Sequence, residues 1–233
     1  MKAILLAAGL GTRLRPITDF IPKCLVPIAG RPLLQIWLEQ LFQHDVSDVL
    51  INTHHFAESV VEFVEQSEFH DRVTLVHESR LLGTAGTLMA NLDFFGGQAG
   101  LYLHADNFSE VDITELVHAH MTRPTKCILT MTTFIAEDPR SCGIVEVDSQ
   151  NVITSFIEKP EHPHGSLANG ALYVIEPEEF RDFVDAQDFS LDILPHLVGR
   201  MYSFFTTKTH IDIGTSNNLS NAQSFLERHR ELL

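Results

Sequence analysis

The sequence predicts an α/β fold, with a mainly parallel central sheet in the first half and a β-rich second half. Three observations carry this. Apolar runs of strand length alternate with helical patterns over about the first 105 residues, the spacing of βαβ units with right-handed crossovers. The first run empties into a short loop, Ala8-Gly9-Leu10-Gly11-Thr12-Arg13-Leu14-Arg15-Pro16, that carries two glycines and two arginines. Beyond about residue 110 the strand-like runs crowd together and the helical patterns thin out.

Taken in order, residues 2–7 read as a buried strand because they are continuously apolar after Lys2. Pro16, Pro22 and Pro27 keep the following segment out of a helix. Pro32 then suits a helix start. Leu34, Trp37, Leu38, Leu41 and Phe42 follow at the spacing of one apolar helix face. Residues 49–51 and 73–76 predict strands, and residues 57–68 between them an acidic amphipathic helix with Val60, Val61 and Val64 inward. Gly83-Thr84-Ala85-Gly86 opens a helix carrying Leu88, Met89 and Leu92, and residues 101–103 form a strand ending at Ala105-Asp106-Asn107.

In the second half, residues 114–121 and 178–185 predict helices. Residues 127–134, 143–147, 152–157, 171–175 and 202–206 predict strands. Residues 215–233 predict a closing helix with Thr215 or Ser216 as its N-cap. No repeat, low-complexity tract or linker interrupts the chain. The expectation is a single domain over 1–233, with halves at about 1–110 and 111–233. Ligands of parallel sheets bind beyond the carboxyl ends of the strands. The opening loop, the Gly83 segment and Asp106 all follow strands and are expected on one edge.

Composition narrows the function. A formal charge of −15 over 233 residues argues against a general nucleic-acid binder. Arg13, Arg15, Lys23 and Arg31 therefore stand out as local positive charge. No apolar run approaches the ~20 residues that span a bilayer, and no leader pattern is read at the N-terminus. Cys24, Cys127 and Cys142 are scattered without a Cys-x-x-Cys pair, which fits a reducing cytoplasm and no zinc site. The thirteen histidines lack helical i, i+4 metal pairs. Asn107-Phe108-Ser109 fits a glycosylation triplet only by chance in such a setting.

The opening loop is an anion cradle by its chemistry. Gly9 and Gly11 open backbone conformations that let several N–H groups converge on one anion, and the arginines add bidentate charge. It is not a Walker loop, because no Gly-Lys-Ser/Thr follows. It is not a dinucleotide fingerprint, because Leu14 stands where the third glycine is required. A nucleotidyltransferase loop remains.

The run Leu6–Pro16, followed by Pro22-Lys23-Cys24-Leu25-Val26-Pro27-Ile28 and Gly30-Arg31-Pro32-Leu33, resembles the signature of sugar-phosphate nucleotidylyltransferases, the NDP-sugar pyrophosphorylases. Leu82-Gly83-Thr84-Ala85-Gly86, His104-Ala105-Asp106-Asn107, Phe156-Ile157-Glu158-Lys159-Pro160, Asn169-Gly170 and Ile211-Asp212-Ile213-Gly214-Thr215 follow in that family's order. The resemblance is to short members such as mannose- and heptose-1-phosphate guanylyltransferases. It implies a Rossmann-like three-layer sandwich whose second half binds sugar. It also implies a reaction in which a sugar 1-phosphate attacks the α-phosphorus of a nucleoside triphosphate.

By the same resemblance, Arg13, Lys23 and Asp106 are catalytic. Ala8, Gly9, Gly11, Thr12, Arg13 and Gly83 bind the nucleotide. Gly143, Glu158, Lys159 and Asn169 bind the sugar phosphate, and Asp106 and Asp212 hold Mg²⁺. Asn169 equally fits turn chemistry, Glu158–Lys159 a surface ion pair, Gly83 a helix entry and Asp212 a helix-cap acid. Cys24 stands where many relatives carry proline and is expected to relax the loop and expose a thiol. The implied partners are a nucleoside triphosphate, GTP favoured, and a sugar 1-phosphate, with no nucleic acid or membrane and with a homo-oligomer left open. A uridylyl- or thymidylyltransferase of the same family, a cytidylyltransferase for a non-sugar phosphate and a catalytically silent NDP-sugar-binding regulatory subunit are the rival readings.

Overall fold

The structure is a computed structural model that describes residues 1–229, so residues 230–233 of the expected closing helix lie outside it. The chain has a mixed α/β, Rossmann-like fold with a largely parallel central sheet. The strands are β1 (Lys2–Leu6), β2 (Pro27–Ile28), β3 (Arg31–Pro32), β4 (Asp48–Thr53), β5 (Val73–His77), β6 (Gly100–His104), β7 (Asn107–Ser109), β8 (Leu129–Ile135), β9 (Gly143–Val147), β10 (Ile153–Glu158), β11 (Leu167–Ile175), β12 (Met201–Phe205) and β13 (His210–Asp212). The α-helices are α1 (Leu33–Gln43), α2 (Ala57–Gln66), α3 (Gly83–Ala90), α4 (Ile113–Thr122) and α5 (Ser216–Arg228).

Two compact units divide the chain. The first comprises Leu5–Leu81, His104–Glu110 and the chain from Thr209 onward. In it β4 and β5 pair in parallel, from Val49 opposite Val73 to Thr53 opposite His77. Helix α1 starts directly after Pro32 and buries Leu33, Leu34, Trp37, Leu38 and Leu41, the expected face. Helix α2 buries Val60 and Val64 and leaves Val61 half-buried. The proline-rich stretch before α1 makes short 3₁₀ turns at Thr12–Leu14, Ile17–Asp19 and Lys23–Leu25. Near the other end of the chain, β13 pairs antiparallel with β7, and α5 buries Leu219, Ala222 and Leu226.

The second unit comprises Met1–Ile4, Leu82–Leu103 and Val111–Lys208. Its centre is β11, antiparallel to β6, β8 and β9, with β10 antiparallel to β9 and β12 parallel to β8. Strand β11 is longer than the sequence predicts, because Asn169-Gly170-Ala171 is a bulge inside the strand. The register against β8 shifts between Asn169 and Tyr173, and Ala171 takes φ 52°. The expected helix over 178–185 is only a 3₁₀ turn, Pro177–Phe180. Phe180 is buried, but Val184 is 73% exposed, so that segment has too little apolar face to dock a helix. The rings of Tyr102, Tyr173, Phe180 and Phe189 pack together beneath this sheet.

Helix α4 is fastened to this unit by polar contacts. His120 Nδ1 lies 2.9 Å from Thr130 Oγ1 and its Nε2 3.3 Å from Glu176 Oε1. Arg123 donates to the same carboxylate at 2.6 Å. Burial, with help from the Arg123 charge, pushes the His120 imidazole down to about 4.

Candidate active site

Strand β1 delivers the chain into the glycine loop, and the hand-over is clamped. The Ala7 N–H donates to Asn52 Oδ1 at 2.7 Å, and Asn52 Nδ2 donates to Glu78 Oε1 at 2.9 Å. Asn52 and Glu78 are buried and follow the strand direction of β4 and β5. Sequence reasoning missed both, since neither belongs to a motif. Gly11 sits at φ 63°, and a Cβ there would stand 2.8 Å from Thr18 Cγ2. It must be glycine for conformation and for room. Its carbonyl accepts from Thr18 Oγ1 at 2.7 Å and from the Leu14 N–H at 2.9 Å. Ala8 is buried, Gly9 and Thr12 are exposed, and the Arg13 side chain is two-thirds exposed.

Lys23 lies in the third of the 3₁₀ turns, its side chain buried. Its Nζ is 2.6 Å from Asp106 Oδ2 and 3.3 Å from Asp212 Oδ1. The two carboxylates come from distant parts of the sequence, and a two-stranded ladder unites them. Asp212 pairs with Asn107 across β7 and β13, and the Ile213 N–H donates to the Asp106 carbonyl at 3.0 Å. Trp37 Nε1 braces the ladder from α1 by donating to the Asn107 carbonyl at 2.7 Å. Arg13 Nη2 lies 3.6 Å from Asp212 Oδ2. Arg13, Lys23, Asp106 and Asp212 are thus brought together, as the motif order implies.

The electrostatics follow from that packing. Burial alone would disfavour the charged form of Asp106, but Lys23, seconded by His104, outweighs it and holds the carboxyl below its usual range. Burial pushes the His210 imidazole, on β13, down to about 4. Burial also pushes the Cys24 thiol up to about 12. Cys24 is only 2% exposed, because it points inward from the 3₁₀ turn. The expectation of an accessible thiol there is therefore corrected.

The sugar-side candidates lie in the second unit. Gly143 on β9 faces Glu158 on β10 in register, and a Cβ on Gly143 would stand 2.7 Å from Glu158 Oε2 and 2.8 Å from the Phe156 ring. Glycine here leaves room for the carboxylate. Glu158 is mostly buried, and the exposed Lys159 ammonium reaches its Oε1 at 3.2 Å. Lys159 holds φ 45°, with its N–H on the Cys142 carbonyl at 3.1 Å. Asn169, in the β11 bulge, is held at both ends. Its Oδ1 accepts from the Ala171 N–H at 2.9 Å, and its Nδ2 donates to Tyr173 Oη at 2.7 Å. Tyr173 was not legible as a site residue, because it reads as ordinary strand core.

Gly83 has a structural account of its own. It sits at φ 77°, and a Cβ would meet the Gln187 carbonyl oxygen at 2.3 Å. That same oxygen accepts from the Ala85 N–H at 2.8 Å.

The model of the family described as Nucleotidyl transferase matches residues 2–229. The chain belongs to this nucleotidyl transferase family. A Campylobacter jejuni D-glycero-α-D-manno-heptose 1-phosphate guanylyltransferase is 30% identical over 192 residues, 82% of this chain and 83% of that protein. A Synechocystis UTP–glucose-1-phosphate uridylyltransferase is 30% identical over 233 residues, 92% of this chain and 60% of its own length. The chain spans between 54% and 68% of several longer curated relatives. The crystal structure of HddC from Yersinia pseudotuberculosis superposes with a TM-score of 0.82 at 23% identity, over 97% of this chain and 99% of that one, which shows the shared fold. Among the described residues, no helix is long and apolar enough to cross a membrane.

Members of the nucleotidyl transferase family use a divalent metal. Asp106 and Asp212 fit such an ion. Two hard, anionic oxygens, of Asp106 in the turn between β6 and β7 and of Asp212 at the end of β13, already converge on one cationic nitrogen, which is the donor chemistry a hard divalent cation takes. Among the described residues no cluster of three or more His, Cys, Asp or Glu side chains could hold a metal.

Proposed function

We propose that this protein transfers a nucleotidyl group from a nucleoside triphosphate to a sugar 1-phosphate, releasing an NDP-sugar and pyrophosphate. The single observation that carries the reading is Lys23 Nζ held between Asp106 and Asp212, with Arg13 beside them at the end of the glycine loop. Such a corner concentrates the charges that phosphoryl-type transfer needs, where positioning and neutralisation do most of the work. The whole of 1–233 acts as one nucleotidyltransferase domain in this reading, and three free cysteines support a cytoplasmic setting.

The loop backbone at Ala8, Gly9, Gly11 and Thr12 cradles the triphosphate, and Arg13 neutralises the β- and γ-phosphates as they leave. Gly83 admits the base. Lys23 reaches the α-phosphate or the incoming sugar phosphate. Asp106 and Asp212 hold Mg²⁺, which when bound draws charge off the phosphates. A phosphate oxygen of the sugar 1-phosphate forms the new bond to the α-phosphorus as the α–β bridging bond breaks, and pyrophosphate takes that electron pair. The attacking oxygen is already an anion, so no general base is assigned. Gly143, Glu158, Lys159 and Asn169 hold the sugar phosphate, with Glu158 accepting from hydroxyls.

GTP is the favoured nucleotide. Support comes from the Leu82-Gly83-Thr84-Ala85-Gly86 segment and from the heptose 1-phosphate guanylyltransferase relative that this chain matches over most of both lengths. Pyrophosphate release from GTP, UTP, dTTP and CTP with a panel of sugar 1-phosphates tests the whole reading. Release with GTP and a mannose- or heptose-type phosphate supports it. Nucleotide binding without release from any pair would leave only a silent binding subunit.

A further inference from the structure

We propose that Gly214 and Asn218 are positioning residues that fix the Asp212 carboxylate, and so set how tightly this protein takes up a divalent cation. The inference rests on the functional reading above. Asp212 is the last residue of β13, and two neighbours from the turn into α5 grip it. Asn218, in the first turn of α5, donates Nδ2 to the Asp212 main-chain carbonyl at 2.8 Å. Its own N–H goes to Oγ1 of the N-cap Thr215 at 3.2 Å. Only a side-chain donor of this length serves the first contact; an aspartate would set oxygen against oxygen.

Gly214 acts on the carboxylate itself. Its N–H donates to Asp212 Oδ1 at 2.8 Å, the oxygen that also faces Lys23 Nζ. Its backbone lies outside the left-handed region, so conformation does not ask for glycine. Space does. A Cβ at Gly214 would stand 2.6 Å from Arg13 Nη2 and 2.9 Å from both Asp212 carboxylate oxygens. Real carbon atoms do not sit that close to polar neighbours, so a methyl group must push the guanidinium and the carboxylate aside. The three nearest atoms all belong to those two charged side chains. The missing side chain is therefore the room in which the second metal carboxylate and the triphosphate arginine stand.

The test is Mn²⁺ binding to the full chain, followed by the electron paramagnetic resonance signal of free Mn²⁺. GTP, UTP and dTTP are added in turn, with no sugar phosphate so that no turnover occurs, and the Mn²⁺ that each nucleotide takes up without protein is subtracted. Gly214→Ala and Asn218→Ser are each expected to weaken Mn²⁺ binding by about tenfold, the cost typical of removing a group that orients a metal ligand. Gly214→Ala is expected to melt within about 2 °C of the parent, since it touches only solvent-reaching side chains. A loss of metal with an unchanged melting point is something a purely structural role would not produce. If Asn218→Ser fails to fold, Gly214→Ala decides alone. Affinities within about twofold of the parent overturn the inference, while a parent that binds no Mn²⁺ with any nucleotide overturns the functional reading and this inference with it.

Discussion

The corner around Lys23 and the corner around Glu158 are built on opposite plans. Around Lys23, charged side chains hold one another: an ammonium between two carboxylates, with an arginine alongside. The partners come from residues 13, 23, 106 and 212, and the β7–β13 ladder brings the last two together. Around Glu158, backbone geometry does the holding. Gly143 leaves space, Lys159 sits at a positive φ, and Asn169 is tied within its own bulge. A corner held by mutual charge is sensitive to charge deletion. A corner held by backbone shape is sensitive to added carbon.

That contrast can be broken in several ways. The largest effect is expected from Asp106→Asn, which keeps shape and removes charge. It should lower kcat/KM by about 10³-fold, the upper range for deleting one electrostatic stabiliser. Pyrophosphate release near the parent rate would reject the metal role. Gly143→Ala tests the other corner by adding one methyl against Glu158 Oε2 and Phe156. It should raise KM for the sugar phosphate about tenfold while leaving triphosphate affinity unchanged; an equal loss for both substrates would erase the distinction. Tyr173→Phe removes the hydroxyl that accepts from Asn169 Nδ2 and also bonds Ser190. It should raise the same KM about fivefold, near 1 kcal/mol, in steady-state assays.

The smallest effect is on stability and concerns pH. His120 is held neutral in the fold, with its imidazole pushed from 6.5 down to about 4. Between those values the unfolded chain binds a proton that the folded chain refuses. Stability therefore falls as pH drops from about 6.5 toward 4, by at most about 1.4 kcal/mol per pH unit from this group. His120→Gln should flatten that slope in denaturant titrations at pH 7, 6 and 5. An unchanged slope would mean that His120 takes up its proton over the same pH range in the folded and unfolded chain.

The same contrast explains what could be read from the sequence. Strand and helix patterns in the first half were legible because their apolar spacing is local, as in α1, where Leu34, Trp37, Leu38 and Leu41 are all buried. Arg13 and Lys23 were singled out by two motif segments close together in the chain, Leu6–Pro16 and Pro22–Ile28. The juxtaposition of Asp106 with Asp212 did not follow from spacing; resemblance supplied it and the ladder explains it. The bulge at Asn169 was hidden because Asn-Gly signals a turn whether or not a strand continues through it. The 178–185 segment misled because its charge pattern looks helical while Val184 has nothing to bury against. Asn52, Glu78 and Asn218 were invisible for a shared reason: each acts through hydrogen bonds that no sequence motif marks.

The ladder that joins Asp106 to Asp212 also imposes an order in time. A chain is made from its N-terminus at about 5–20 residues per second. The stretch between the two carboxylates therefore takes about 5 to 20 seconds to synthesise. Through that interval the chain carries Arg13, Lys23 and Asp106 but not yet Asp212. Any nascent or truncated chain that stops before Thr209 keeps the glycine loop, Arg13 and Lys23, yet lacks β13. In the proposed reading, a chain that stops short of β13 therefore lacks Asp212, the second carboxylate of the phosphate corner.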